Sequence, residues 1–295
     1  VTDNVARLRA EWYGEAELDR LIMASVPSGL DFDAMLTAGP PPGLVLPSVD
    51  AAWTWNPAPV KAAFAAALAA LLLRWAPVKE AWTAQLTSQV QRAAQDDDVR
   101  AFAELGVDAT QGADVLHDAM AAYAPVAAGQ VVAEAKDQGV AVPPQVPDTD
   151  VMATQALVTA ELLAAALALS AGNEAQRVHR GDRPAADTAA DVGKHLDELS
   201  DAVPTAQLGY ALHTVELGSR VATMSGHLGV KLYASEQMDD HLCVPCRAVN
   251  GSYIGTTGGD LSKLHLLYPN GGFINCRGGI NCRGTVIGVW PKEGE

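Results

Sequence analysis

The sequence predicts a mainly α protein: an alanine-rich helical bundle followed by a small α+β, cysteine-containing C-terminal domain. Three observations lead there. Apolar residues make up 49% of the chain but aromatics only 5%. Alanine, the best helix former and the poorest space filler, supplies much of the difference, so slender helices should pack closely. Between residues 59 and 226 apolar side chains recur at helical spacing. From Val230 onward the texture changes to short alternating runs, glycine turns and all of the chain's 4 cysteines. These shifts suggest three parts: an N-terminal helix and Pro-rich arm over residues 1–60, an acidic helical domain over 61–226, and a cysteine domain over 227–295.

Thr2 or Asp3 can cap a first helix reaching about residue 24, with Val5, Leu8, Trp12, Leu18, Leu21 and Ile22 as its stripe. Residues 26–59 are broken by Pro27, Gly29, Gly39, Pro40, Pro41, Pro42, Gly43, Pro47 and Pro57, which reads as an irregular arm. Trp53 and Trp55 sit on it, either pinning it to its own core or anchoring a neighbouring subunit. A helix starts near Pro59 with Phe64, Leu68, Leu71 and Leu72 on one face, and Pro77 should bend or break it. Asp96, Asp97 and Asp98 read as the cap of a short helix over 100–105 rather than a metal site.

The next helix runs over 111–137, with Leu116, Met120, Tyr123 and Ala127 on its stripe and Gly139 just past its end. Asp148 or Asp150 caps the most apolar helix, over 151–171. Leu157, Val158, Leu162, Leu163, Leu167 and Leu169 leave it almost no polar face, placing it at the centre of a bundle or in an oligomer interface. Arg177, Arg180 and Arg183 fall in a polar stretch over 176–187, read as a solvated turn. Helices over 185–199 and 204–226 follow, the second with Leu208, Leu212 and Val215 buried. Strands are expected over 230–233, 253–254 and 285–289, with a short helix over 261–267.

The formal charge of −15 is uneven: residues 227–295 are neutral, and 1–226 carry 14 basic against 29 acidic residues. Such a surface repels phosphate backbones, so nonspecific DNA binding by residues 1–226 is not expected. The first residues lack the basic and apolar regions of a signal peptide. The longest wholly apolar run, residues 62–73, has 12 residues. A membrane span needs about 20, so that run is read as a buried helix of a soluble, cytoplasmically made protein with no membrane partner.

The cysteines fall as two pairs, Cys243 with Cys246 and Cys276 with Cys282. A Cys-x-x-Cys turn points two sulfurs at one spot and a second pair can complete a tetrahedron, which reads as a structural four-thiolate zinc site. Two disulfides or free thiols are the competing readings, and a reducing cytoplasm disfavours the former. Asp239 and His241 lie beside the first pair as outer partners of a metal. A catalytic zinc is not indicated: no histidine has glutamate two places on, and no His-Glu-x-x-His occurs. The phosphate-binding Gly-x-x-x-x-Gly-Lys-[Ser/Thr] and the Gly-x-Ser-x-Gly elbow are absent as well. A hidden hydrolase would instead show serine or cysteine beside histidine in a cleft of the helices.

Several segments together carry a family resemblance. They are Tyr233-Ala234-Ser235-Glu236-Gln237-Met238-Asp239, Cys243-Val244-Pro245-Cys246-Arg247-Ala248-Val249-Asn250-Gly251, Tyr268-Pro269-Asn270-Gly271-Gly272-Phe273, and Cys276-Arg277-Gly278-Gly279 with Cys282-Arg283-Gly284-Thr285. This last quarter of the chain resembles the C-terminal domain of phage Mu F-like (MuF) minor head proteins, in the form typical of actinobacterial phages. Many members end in His-Pro-x-Cys-Arg-Cys, where this chain has a glycine-rich insert between its last two cysteines. The resemblance implies a non-enzymatic minor capsid protein of a tailed-phage virion, associated with the portal or the major capsid protein, with itself as a further candidate partner, acting in head assembly and genome packaging or delivery. It also raises two enzymatic alternatives, a capsid maturation protease and a toxin carried on the MuF module.

Overall fold

The computed structural model describes residues 55–236, 243–269, 272–282 and 284–291. The expected first helix, most of the Pro-rich arm, Trp53, Asp239 and His241 lie outside the described residues. The chain divides into two compact units, Val1–Leu44 and Val45–Glu295, and everything below concerns the second.

The protein is mainly α, with seven α-helices among the described residues and a small three-stranded sheet near the C-terminus. Helix α1 spans Ala58–Gln95, with a proline in its first turn where a missing N–H costs nothing. It runs as one helix through Pro77, where the sequence suggested a bend or a break. The cause is packing on either side of the proline. Trp75 and Trp82 are both buried and meet edge to face with centroids 5.5 Å apart. Both rings press on Gly112 of the facing helix, where a Cβ would stand 2.9 Å from the Trp82 ring and 3.0 Å from that of Trp75. Burying two tryptophans is worth several kcal/mol, roughly the ~3 kcal/mol or more that an interior proline costs.

Asp98 accepts from the backbone N–H groups of Arg100 and Ala101 and caps a 3₁₀ turn over Val99–Ala103, as the sequence suggests. Helix α2 (Thr110–Asp137) follows, then α3 (Thr149–Val178), capped by Asp148 through the N–H of Asp150 at 2.8 Å. Helix α3 is a full two turns longer than its apolar run indicates. Arg177, expected in a solvated turn, lies on its last turn, where a cation suits the negative helix end, and pairs with Glu174 at 2.5 Å. Helices α4 (Ala185–Glu198) and α5 (Ala202–Ser225) complete the bundle.

The main core joins α1, α2, α3 and α5 through Leu71, Trp75, Leu116, Met120, Tyr123, Met152, Leu208 and Leu212. A second cluster of Leu86, Val90, Phe102, Val192 and Leu196 closes the end where α4 packs. The apolar run 62–73 is not buried as read: only Leu71 is, while Phe64, Leu68 and Leu72 lie half-buried against the core and Leu73 is 80% exposed. Helices α1 and α3 are both long and apolar enough to cross a membrane by length and composition, a test that bundle helices also pass.

After α5 the chain enters the sheet: β1 (Lys231–Ser235), a short helix α6 (Val244–Val249), β2 (Tyr253–Thr256), α7 (Ser262–Leu267) and β3 (Thr285–Val289). Strand order is β2-β1-β3, all antiparallel, with Tyr233 opposite Ile287 and Lys231 opposite Val289. That leaves β3 an edge strand, whose outer N–H and C=O groups need partners if buried. Side chains from α5 and from Gln138, the C-cap of α2, take the carbonyls of every second residue. His213 Nε2 lies 2.7 Å from the Gly284 carbonyl oxygen, Arg220 Nε donates to that of Val286 at 2.9 Å, and Gln138 Nε2 to that of Gly288 at 3.1 Å. The Trp290 N–H returns a bond to Gln138 Oε1 at 3.2 Å.

Arg220 is fully buried, and its guanidinium also grips Glu134 of α2 with two bonds, 3.0 and 2.7 Å. Glu134 in turn accepts from Trp55 Nε1 at 3.0 Å. One turn back on α5, Glu216 accepts from Tyr123 Oη at 2.9 Å and lies 3.8 Å from His213 Nδ1. Burial opposes ionisation of Glu216, but His213, Arg220 and Tyr123 outweigh it and hold its pKa below the usual value.

Two predictions follow from this network. Arg220→Met strands a carboxylate and a strand carbonyl in the interior, so it should destabilise by ~3–5 kcal/mol in urea unfolding. Adding Glu134→Leu should recover part of that loss, because the double variant leaves no lone charge. The second concerns acid. Unfolded Glu216 takes up its proton at a higher pH than folded Glu216, so its contribution is complete above the ordinary carboxylate range and disappears as pH falls through the depressed folded value. Glu216→Gln should therefore flatten the acid limb of the stability–pH curve measured by thermal unfolding.

Candidate metal centre

The four cysteines converge on one side of the sheet. Cys243 is the N-cap of α6 and Cys246 sits in its first turn, so the tight turn at Pro245 brings both sulfurs to the same spot. Cys276 lies in the turn after Phe273, and Cys282 directly follows a 3₁₀ turn over Gly279–Asn281. All four are free thiols. The Cys243 and Cys276 sulfurs are 3.8 Å apart. A disulfide needs about 2.05 Å. The edge of a tetrahedron with metal–sulfur bonds of about 2.3 Å is about 3.8 Å.

Cys243, Cys246 and Cys276 have their sulfurs within 4.8 Å of one another, and so do the ligand atoms of Cys246, Cys282 and Glu236. Cys246 belongs to both sets. The cluster of Cys243, Cys246, Cys276 and Cys282 could therefore hold a metal ion.

Backbone donors favour thiolates here. The Gly278 N–H points at Cys276 Sγ and the Phe273 N–H at Cys282 Sγ, each at 3.3 Å. Hydrogen bonds from the Cys246 and Cys282 thiols, with that amide, draw the Cys276 pKa far below the ordinary thiol value. The same contacts, seen from Cys246, drive its own pKa up. Metal ligation needs thiolates, so a divalent cation bound here would release the thiol protons.

Glycines make room for the cluster. A Cβ on Gly272 would stand 2.6 Å from the Cys282 Cβ, and one on Gly284 would overlap the Glu236 carboxylate. Glu236 is the site residue that spacing arguments miss. It follows β1, is 2% exposed, accepts from Tyr268 Oη at 2.6 Å and has Oε2 3.8 Å from Cys282 Sγ. Burial raises its pKa, although the Tyr268 bond works against that. Its only sequence signal is its place in the Tyr233–Asp239 stretch, because a carboxylate just past a strand ordinarily faces water. Asn250 holds it from behind, accepting from the Glu236 N–H at 2.8 Å. The centre is tied to the bundle by Gly284, two residues past Cys282, through its carbonyl bond to His213.

Elsewhere, Ser170 of α3 and His195 of α4 are hydrogen-bonded at 3.0 Å. They join two helices and line neither the cavity of about 290 Å³ beside Trp55, Phe64, His213 and Thr285 nor that of about 400 Å³ beside Phe102, Leu105 and Leu169. His227, near Ser225 in sequence, turns its Nδ1 to the carbonyl of Leu228.

Compared with protein families, curated proteins and solved structures, the chain matches none.

The purified protein should carry one divalent metal ion per chain by elemental analysis. Cys246→Ser, removing the sulfur common to both ligand sets, should abolish binding. Tyr268→Phe, which frees Glu236, should weaken it about 10-fold in competition with a chromogenic chelator.

Proposed function

We propose that this chain is a non-enzymatic minor head protein of a tailed phage, in which a zinc-stapled mini-domain is presented by an acidic helical bundle. One observation carries the reading. The four segments that resemble the MuF minor head proteins are separated along the chain, yet their described residues meet at a single centre. Glu236 comes from the first segment, Cys243, Cys246 and Asn250 from the second, Tyr268, Gly272 and Phe273 from the third, and Cys276, Cys282 and Gly284 from the fourth. A motif set kept together for building one small metal centre makes sense of that particular combination of residues.

Zinc is the metal the donor set favours. Cys243 and Cys276 stand at the edge length of a zinc–thiolate tetrahedron, thiolates suit a borderline-soft d¹⁰ ion, and with Cys246 and Cys282 as the other two ligands no position would stay open for water or substrate. The role is then structural. The sheet has three strands of four or five residues each, too little apolar mass to hold its shape without a staple. Zinc would fix the start of α6 and the segment after α7 as one rigid surface. The acidic helices, with their net negative charge, suit docking on basic or neutral protein surfaces of the portal or major capsid protein rather than on DNA.

The test is to find the chain in the particle. Mass spectrometry of purified heads of the phage encoding it should detect a few copies per head, and cryo-electron microscopy should place them near the portal vertex. Mutant phage lacking the chain should give fewer filled heads, and so should phage carrying Cys246→Ser. Heads free of the chain, or full infectivity without it, would overturn the assignment. Protein purified without zinc, yet folded in its cysteine region, would overturn the stapling role.

A further inference from the structure

We infer that α3 is the contact by which two copies of this chain pair, antiparallel, about a two-fold axis. The inference is independent of the phage reading, since it uses none of the cysteine-domain residues. One side of α3 is buried almost entirely through alanine: Ala156, Ala160, Ala164, Ala168, Ala171 and Ala175, with Met152 and Leu163. The opposite side carries the large aliphatics into solvent. Val151 is 61% exposed, Val158 50%, Leu162 56% and Leu169 53%. With Gln155 and Ala165 they recur at alternating four- and three-residue steps, the average 3.5-residue period of a helix–helix seam. Glu161 is the single charged residue between Asp150 and Glu174.

Charge identifies the occupant as a second copy. The start of the helix is acidic, with Asp148 and Asp150 exposed, and its end is net basic, with Arg177, paired to Glu174, and Arg180 just past the last turn both exposed. An antiparallel partner places each acidic end beside a basic one and also opposes the two helix dipoles. In the register that sets Asp150 opposite Arg177 of the second copy, Val158 falls opposite Leu169 and Leu162 opposite Ala165. Glu161 then faces Ala166, clear of its own symmetry mate. One choice of register thus satisfies the charged ends and the centre of the apolar seam together, as a two-fold contact requires.

The area sets the strength. Over Thr149–Val178 the contact is about 45 Å long and about 11 Å wide, so roughly 1,000 Å² in total is covered. That sits at the lower limit of specific interfaces, about 1,000–1,200 Å². Repulsion between two chains of charge −15 works against it further. The pair is therefore weak, with dissociation in the micromolar range.

Sedimentation velocity of the full chain at physiological salt, up to about 100 µM, tests this. The wild type should shift from monomer to dimer as concentration rises. Val158→Glu with Leu162→Glu should weaken pairing at least about a hundred-fold, with unchanged helical circular dichroism. Should that variant misfold, Asp150→Arg, at an exposed end, should weaken pairing about ten-fold, whereas Asp114→Arg, the same charge change on α2, should not. A wild type that stays monomeric overturns the proposal. So does a dimer indifferent to Val158→Glu with Leu162→Glu, or one indifferent to Asp150→Arg. Flotation of monomeric wild type with phosphatidylcholine vesicles would give the stripe to lipid instead, and would equally overturn it.

Discussion

The guanidinium of Arg220 is the fixed point of this molecule. It is wholly buried, pairs with Glu134 across two helices and donates to the edge of the sheet. Burying a charge is tolerable only when every donor finds an acceptor and the charge finds its opposite. Here all three nitrogens of the guanidinium donate and its charge meets a carboxylate only if α2, α5 and β3 stand where they do. Burial alone would push arginine toward losing its proton, and Glu134 holds it charged. An edge strand is ordinarily a liability, open to pairing with another chain. Here it is closed by His213, Arg220 and Gln138 taking the carbonyls of Gly284, Val286 and Gly288. The helices serve as the missing fourth strand.

This arrangement joins the cysteine region to the bundle more firmly than its sequence texture suggests. The core beneath the sheet mixes Val131 and Ala135 of α2, and Leu217 and Met224 of α5, with Leu232, Ile254, Val286 and Trp290. At its far end the same cluster reaches Cys246, Cys282, Tyr268 and Phe273. The sulfur centre and the helix–sheet interface are thus two ends of one packed body, with Gly284 between them. A metal would hold the end where apolar contacts run out. The Arg220 network holds the end where strand backbone meets helix.

Much of this was legible in the sequence, for local reasons. Helical periodicity located α1, α2, α3, α4 and α5, because a 3.6-residue stripe depends only on which face meets the core. Asp98 and Asp148 were legible as caps since they bond N–H groups two or three residues away. The cysteines were legible because a Cys-x-x-Cys turn needs no distant partner. Pro77 misled because the tryptophans that hold the helix through it find their footing on Gly112, a residue of another helix. Gln138 is separated from Gly288 by 150 residues and Arg220 from Val286 by 66, so no local pattern announces either bond. Glu236 escaped notice because what buries it, Tyr268 and Gly284, arrives from later in the chain.

The same composition that announces the helices explains their odd distribution of bulk. Where α3 meets the bundle it does so mostly through one alanine per turn, with Met152 and Leu163 as the larger exceptions. At Gly172 even a methyl group is excluded, since a Cβ would stand 2.3 Å from the Phe102 carbonyl oxygen. Each buried alanine removes little apolar area from water, about 0.8 kcal/mol per methyl-sized group. The larger side chains that would contribute more are therefore left on the outer face of α3 and along α1, where Leu73 points outward. Hydropathy summed along the sequence counts those residues as core and makes both helices look like membrane spans. Resolved by face, the inner side is thin and alanine-lined, and the apolar surplus lies outside.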